Sequence, residues 1–160
     1  MLLWIIAKYF KLLAFIVLCE LVGVLGSVST ISAIPTWYAG LTKPFFSPPN
    51  YLFGPVWTIL YALMGISIFR ILELKKKKVV EAANLFWIQL FLNGIWTPIF
   101  FGSKQFFFAF IVIVFMWVYI LKTIRAFAKI DKFSSYLLYP YLAWVSFATL
   151  LNFSIWFLNR

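Results

Sequence analysis

The sequence predicts an all-α fold: an integral membrane bundle of five transmembrane helices with a proline-rich capping loop between helices 1 and 2, forming one transmembrane domain over residues 1–160. Three observations carry this. Of the 160 residues, 65% are hydrophobic and the mean hydropathy is +1.01, against an apolar share of about 45–50% in a soluble domain. Pro44 to Phe69, Ala82 to Ser103, Gln105 to Leu121 and Phe133 to Asn159 contain no charged residue, and a bilayer core needs roughly 20 residues of apolar helix. The bases, finally, sit between these runs and not along a wettable face, so the net charge of +10 is no sign of nucleic-acid binding.

Taken in order, the expected spans are about 12–31, 52–72, 80–101, 105–128 and 134–158. Span 1, Leu12 to Thr30, is apolar apart from Glu20. Its flanking Lys8 and Lys11 and its trailing small residues imitate a secretory signal, but Glu20 breaks the hydrophobic region, so the segment is read as a membrane helix. About twenty residues separate spans 1 and 2. They include Pro35, Pro44, Pro48 and Pro49, which lack the N–H that a helix requires, together with Trp37, Tyr38, Phe45 and Phe46, which are too apolar for disorder. An irregular cap at the membrane surface is the expectation. Spans 2 to 5 follow one another through short basic turns or through the Gly102-Ser103-Lys104 corner.

Sidedness follows from the bases near the span ends. The N-terminus, the loop after span 2 and the loop after span 4 share eleven Lys and Arg, including Arg70 and the Lys75–Lys78 run, while the opposite side has Lys43, Lys104 and Arg160. This predicts a cytoplasmic N-terminus, an external proline-rich loop and C-terminus, and contact with anionic membrane lipid.

The chain has no histidine and a single cysteine, Cys19. A Cys/His zinc site, a His-dependent triad, a His-ligated haem iron and an intrachain disulfide are thereby excluded; no metal and no resident cofactor are expected, and Cys19 reads as buried filler. What stands out instead is 20 Phe, 8 Trp and 8 Tyr. A buried indole wants a partner for its N–H, so the tryptophans need particular places.

Helical spacing locates some of them. Gln89, Asn93 and Trp96 share one face of span 3; Trp144, Ala148 and Asn152 share one face of span 5, with Ser146 and Thr149 nearby; Trp57 and Tyr61 are one turn apart on span 2. At about 1.5 Å per residue, Trp57, Tyr61, Asn93, Trp96, Trp144 and Ala148 reach the outer half of the bilayer, under the proline-rich loop. Amides and indoles at such positions can simply join helices. Converging from three helices, with Ala148 leaving room beside Trp144, they also form an aromatic cavity suited to a flat apolar ligand. Glu20, alone in mid-span, is either protonated and hydrogen-bonded or part of a proton or ligand path. Gly23 and Ser27 form a small-xxx-small pair that allows close helix approach, within one protomer or between two.

Five stretches resemble a known family: Trp37 to Pro44 (WYAGLTKP), Ser47 to Pro49 (SPP), Phe53 to Tyr61 (FGPVWTILY), Leu92 to Gly102 (LNGIWTPIFFG) and Leu138 to Asn152 (LYPYLAWVSFATLLN). They are similar to the signature of the translocator protein / tryptophan-rich sensory protein family, also called the peripheral-type benzodiazepine receptor family, in its bacterial form. The resemblance implies a five-helix membrane protein, often a homodimer, that binds porphyrins (tetrapyrroles) and benzodiazepine-site ligands in a pocket capped by the first loop. It places pocket roles on Tyr38, Trp57, Asn93, Trp144 and Ala148; the helical spacing adds Tyr61, Trp96 and Asn152. For bacterial members it further implies light- and oxygen-dependent porphyrin breakdown that needs Trp57 and Trp144 as catalytic residues. In place of the Tyr and Arg of the animal sterol-recognition pattern, this chain has Phe153 and Phe157.

The leading expectation is therefore a tetrapyrrole-binding membrane sensor in the bacterial cell membrane. A porphyrin transporter and a structural or interaction protein are the alternatives. Inverted repeats and unwound mid-membrane helices, the usual pointers to transport, are not apparent in the sequence.

Overall fold

Lipid offers backbone groups no hydrogen-bond partners, so apolar spans become helices that satisfy their own N–H and C=O groups. The structure, a computed structural model, describes residues 2–74 and 76–160; Lys75, the first residue of the expected lysine turn, lies outside the described residues. Its long helices are α1 (Leu2–Ala33), α2 (Phe53–Glu73), α3 (Val79–Thr97), α4 (Phe106–Ala128) and α6 (Tyr139–Leu158), with the short α5 (Lys132–Tyr136) preceding α6. Among the described residues, five helical segments are long and apolar enough to cross a membrane, as the sequence predicts.

The helix limits differ from the expected spans where local chemistry decides them. α1 begins ten residues before the expected start of span 1. No glycine or proline interrupts residues 2–12, and lysine is a good helix former. Lys8 lies over the Trp4 ring, 5.4 Å from its centroid, while Lys11 pairs with Glu73 at 3.6 Å. The last span is two helices, not one. Pro140 lacks an N–H and its ring crowds the carbonyl four residues back, so the helix breaks at Leu137 and Leu138 and restarts with the proline in the first turn of α6. α3 ends for the same reason: Pro98 opens a wide turn, Pro98–Gly102, closed by the Ser103 N–H donating to the Pro98 carbonyl at 2.8 Å. Lys104, at φ 56°, then turns the chain into α4.

The helices alternate in direction, as contacts at the two ends demonstrate. At the base-rich end, the Arg70 guanidinium donates to Asp131 at 3.0 Å, Lys76 Nζ to the Ile130 carbonyl at 2.6 Å and the Ser67 hydroxyl to the Ser134 carbonyl at 2.7 Å. Asp131 also caps α5 by accepting from the Ser134 N–H. Partial desolvation alone would raise its pKa; the Ser134 hydroxyl, the Arg70 guanidinium and the Ser134 N–H, all hydrogen-bonded to the carboxylate, bring it down to about 2. At the other end, Thr42 and Asn159 exchange two hydrogen bonds of 3.0 and 2.9 Å, tying the loop after α1 to the C-terminus. Trp37 in the same loop stacks on Phe106 with centroids 5.5 Å apart and 12° between planes, and Lys104 covers its ring.

α1 packs on α2 and α3, α3 on α4, and α4 on α6, with α5 wedged between α2 and α4. The core between them contains Met64, Ile68, Phe86, Met116, Ile120 and Tyr141, and Cys19 is wholly buried in it. Glycine sets the α1–α2 distance. A Cβ on Gly65 would stand 2.5 Å from Ile16 Cα, and one on Gly23 would collide with the Tyr61 ring. The small pair read on span 1 thus serves contacts within the protomer: Gly23 receives Tyr61, and Ser27 donates to its own Val24 carbonyl.

Because Ile16 presents backbone, not a yielding side chain, Gly65→Ala should force α1 off α2. We expect a loss of about 1–3 kcal/mol, the usual cost of overpacking, read as a lower melting temperature of the purified protein in detergent. Ala62→Gly, at a half-buried position of the same helix, should cost no more than the roughly 1 kcal/mol of helix propensity. A Gly65→Ala protein as stable as the parent would mean that α1 is not seated this closely.

Candidate ligand-binding site

On its side away from α4, α6 faces α1 and α2 across a cavity of about 540 Å³. Aromatic side chains act as the spacers. Phe53 of α2 meets Trp144 of α6 edge to face at 6.2 Å, and Trp57 of α2 meets Tyr141 of α6 at 6.2 Å and 65°. Such edge contacts are favourable for aromatic quadrupoles, and they keep two helix backbones a ring's width apart. Trp96 and Phe100, stacked at 5.3 Å, form the wall from α3 and its wide turn. Ile34, Pro35, Tyr38 and Asn50, from the segment between α1 and α2, also face the cavity.

Seven of the eight expected ligand-binding residues line this space: Tyr38, Trp57, Tyr61, Trp96, Trp144, Ala148 and Asn152. Asn93 does not. It lies behind Tyr61, its amide oxygen accepting from the Tyr61 hydroxyl at 2.5 Å and its amide nitrogen donating to the Tyr141 hydroxyl at 2.9 Å. Helical period put Asn93 on the right face of α3, but the phenol of Tyr61 reaches it first. Its effect on the cavity is therefore indirect. Tyr61 stacks on Trp57 at 5.5 Å and 29°, and Tyr141 supports the edge of the same indole, so one buried amide fixes both neighbours of Trp57.

Asn152 is similarly committed, accepting from Trp96 Nε1 at 3.1 Å and donating to the Phe106 carbonyl at 3.0 Å. It orients the Trp96 ring in the wall. The Trp144 indole nitrogen, by contrast, is buried without a hydrogen-bond partner among the described residues. Ser146 and Thr149, close in sequence, are engaged elsewhere: Ser146 accepts from Trp117 Nε1 at 2.7 Å, and Thr149 bonds back to the Val145 carbonyl. Gln89 is buried with neither amide atom paired among the described residues, and it does not line the cavity.

Sequence reasoning missed Phe53 and Phe100 in the lining and Tyr141, which does not line the cavity but supports Trp57 from behind. Tyr141 is fully buried and was legible, since it falls three and seven residues before Trp144 and Ala148 on one helical face. Glu20, read from the sequence as either protonated and hydrogen-bonded or part of a proton or ligand path, lines the cavity; period alone could not show its direction, because span 1 has apolar residues all round.

The TspO/MBR family pattern matches residues 15–157. The chain belongs to the TspO/MBR family. Its relatives include the tryptophan-rich protein TspO of Chlorobaculum tepidum, 44% identical over 144 residues that cover 89% of this chain and 91% of the relative. The tryptophan-rich protein TspO of Archaeoglobus fulgidus is 40% identical, covering 93% and 97%, and the human translocator protein 39% identical, covering 75% and 73%. Membership makes this an integral membrane protein, as its five apolar helices require.

The Tyr61–Asn93–Tyr141 bridge yields a test within the family fold. Asn93→Leu would strand two buried hydroxyls, each costing about 1–3 kcal/mol, whereas Tyr61→Phe removes one hydrogen bond and leaves the amide one partner. Thermal unfolding of the purified protein should therefore show a clearly larger loss for Asn93→Leu than for Tyr61→Phe. Equal losses would mean that Asn93 does not join the two tyrosines.

Proposed function

We propose that this chain is a membrane receptor or sensor that binds porphyrins and benzodiazepine-site ligands in the aromatic cavity, acting as one transmembrane unit. The family, whose members carry the names tryptophan-rich sensory protein and translocator protein, supports the sensor or receptor role. The observation that carries the ligand class is the cavity itself. Its volume of about 540 Å³ falls within the roughly 300–1,000 Å³ typical of small-molecule sites. Indoles from α2, α3 and α6 wall it, offering flat apolar faces on which a conjugated macrocycle can stack, and few polar groups would need to be desolvated.

Binding is favoured over transport by where the lining residues lie. On α2 they run only from Phe53 to Tyr61, although the helix continues to Glu73, and on α1 they stop at Glu20. Below that level, Met64, Ile68 and Phe86 fill the interior. A closed floor suits retention of a ligand. The proposal includes the bacterial cell membrane as location, with the base-rich end cytoplasmic and the C-terminus outside, as the distribution of bases supports. It also includes a homodimer, for which the apolar groove of Leu25, Phe91 and Gly94 between α1 and α3 offers a close-packing face.

Ala148 lies in the wall one turn beyond Trp144, so Ala148→Phe should occupy cavity volume and weaken porphyrin binding by about tenfold or more, about 1.4 kcal/mol per decade. Ala128→Phe, at the exposed end of α4, should not. Titration of protoporphyrin against tryptophan fluorescence reads both, and unchanged binding in Ala148→Phe would put the ligand elsewhere.

A second activity, light- and dioxygen-dependent breakdown of the bound porphyrin, is supported by Trp57 and Trp144 both lining the cavity from different helices. Light provides the activation and dioxygen the oxidising equivalents; the indoles are the readily oxidised side chains beside the macrocycle. Trp57→Phe and Trp144→Phe keep an aromatic face, so binding should weaken by no more than the roughly 0.5–1.5 kcal/mol of one hydrogen bond, while bleaching under illumination slows far more. Bleaching at the parent rate in both variants would reduce the tryptophans to walls.

A further inference from the structure

A carboxyl group in mid-bilayer is costly to keep and needs a partner or a use. Glu20 lies thirteen residues from the outer end of α1, about 20 Å down at the helical rise, level with the floor of the cavity. Among the lining residues it alone carries a formal charge. Among the described residues the bases are at the ends of the bundle, and the ion pairs, Lys11 with Glu73 and Arg70 with Asp131, belong to the base-rich end. Lys11, the nearest base along the helix, is nine residues away and engaged there.

The surroundings of Glu20 suit a positive charge from outside the chain. Gly23 lies one turn further on the same face of α1, and the Tyr61 ring rests directly against it. Tyr61 in turn stacks on Trp57, so Glu20 shares the cavity lining with a two-ring aromatic surface. The Tyr61 hydroxyl is turned away, donating to Asn93, so it does not quench the carboxylate. An anionic group beside π-faces in a low-dielectric pocket is the arrangement that holds an ammonium or amidinium group, by charge-assisted hydrogen bonding and cation–π attraction together.

We propose that Glu20 makes the floor of the cavity a subsite for a cationic nitrogen, so that of two flat apolar molecules of the same outline the one that carries a protonated amine binds more tightly and enters amine first. This rests on the reading of the cavity as a site for flat apolar ligands and adds a preference among ligands of like shape by the charge they bring to the floor. It also explains why a carboxyl is tolerated there. With an amine bound the pair is neutral overall.

The test uses a matched pair of probes, 1-pyrenemethylamine and 1-pyrenemethanol, which share the flat body and differ in charge. The full chain is placed in uncharged phosphatidylcholine nanodiscs, and binding is read as energy transfer from tryptophan to pyrene, with empty nanodiscs giving the lipid partition of each probe. The quantity is the ratio of the two dissociation constants after that correction. The parent protein should prefer the amine by about tenfold or more, the lower range for a hydrogen bond to a charged group. Glu20→Gln should bring the ratio to within about twofold, and Glu20→Asp should keep part of the preference. Glu20→Met, which needs no buried polar partner, replaces the Gln variant if that one does not fold.

A parent ratio near one overturns the proposal, as does a preference that survives in the Gln or Met variant. Ala148→Phe separates this from the underlying reading. If it weakens both probes while the parent shows no charge preference, the cavity is the site and only the role of Glu20 fails. If it leaves both probes unaffected, the cavity reading itself fails.

Discussion

One amide holds three helices together. In lipid there is no hydrophobic force to drive helices against one another, so packing and interhelical hydrogen bonds decide which faces meet. Asn93 of α3 accepts from Tyr61 of α2 and donates to Tyr141 of α6, and each of these partners comes to it from a different direction. All three side chains are buried. An unpaired member would cost about 1–3 kcal/mol, so the alternatives in which α2 or α6 rotates are disfavoured. The cavity depends on this. The two phenols that Asn93 holds are the ones against which Trp57 rests, and those rings keep α2 from collapsing onto α6.

An open volume in a bundle is otherwise hard to sustain, since each lost packing contact forfeits dispersion energy. Two features compensate here. Below the cavity, glycine brings α1 and α2 into backbone contact at Gly65 and Ile16, so the helices are closely fastened where there is no ligand to fill between them. Above it, the segment after α1 is fixed by the Thr42–Asn159 pair and by Trp37 on Phe106. The helices diverge only over the upper stretch where aromatic side chains line the opening. At the base-rich end, Asp131 plays the corresponding part, joining Arg70 of α2 to the cap of α5.

Much of this was legible in the sequence, and the parts that were not have a common cause. Charge-free length located all five spans, and the 3.6-residue period brought Trp57, Tyr61, Trp96, Trp144, Ala148 and Asn152 to one space. Both signals depend on a single helix at a time. The position of Asn93 behind Tyr61 depends on two, because a residue's face is set by its own helix while its neighbour is set by the partner. Glu20 shows the same limit: its depth could be counted, yet its direction follows only from Gly23 receiving the Tyr61 ring. The break before α6 was a local matter and could have been read, since Pro140 and its missing N–H are in plain view.

The distribution of polar groups around the cavity separates structural from recognition roles. Asn93 and Asn152, which composition alone would nominate as ligand contacts, have both their oxygen and their nitrogen engaged within the protein. Groups so satisfied contribute rigidity and shape, and a ligand that tried to use them would have to break what orients Trp57 and Trp96. Specific recognition must then fall to lining groups with capacity to spare. The aromatic faces supply area without direction and suit many flat molecules. If the cavity is the ligand site proposed above, Glu20, outside the ion pairs of the bundle ends, is the lining group that would supply direction, so discrimination among flat ligands should turn on the charge they carry to the cavity floor more than on their outline.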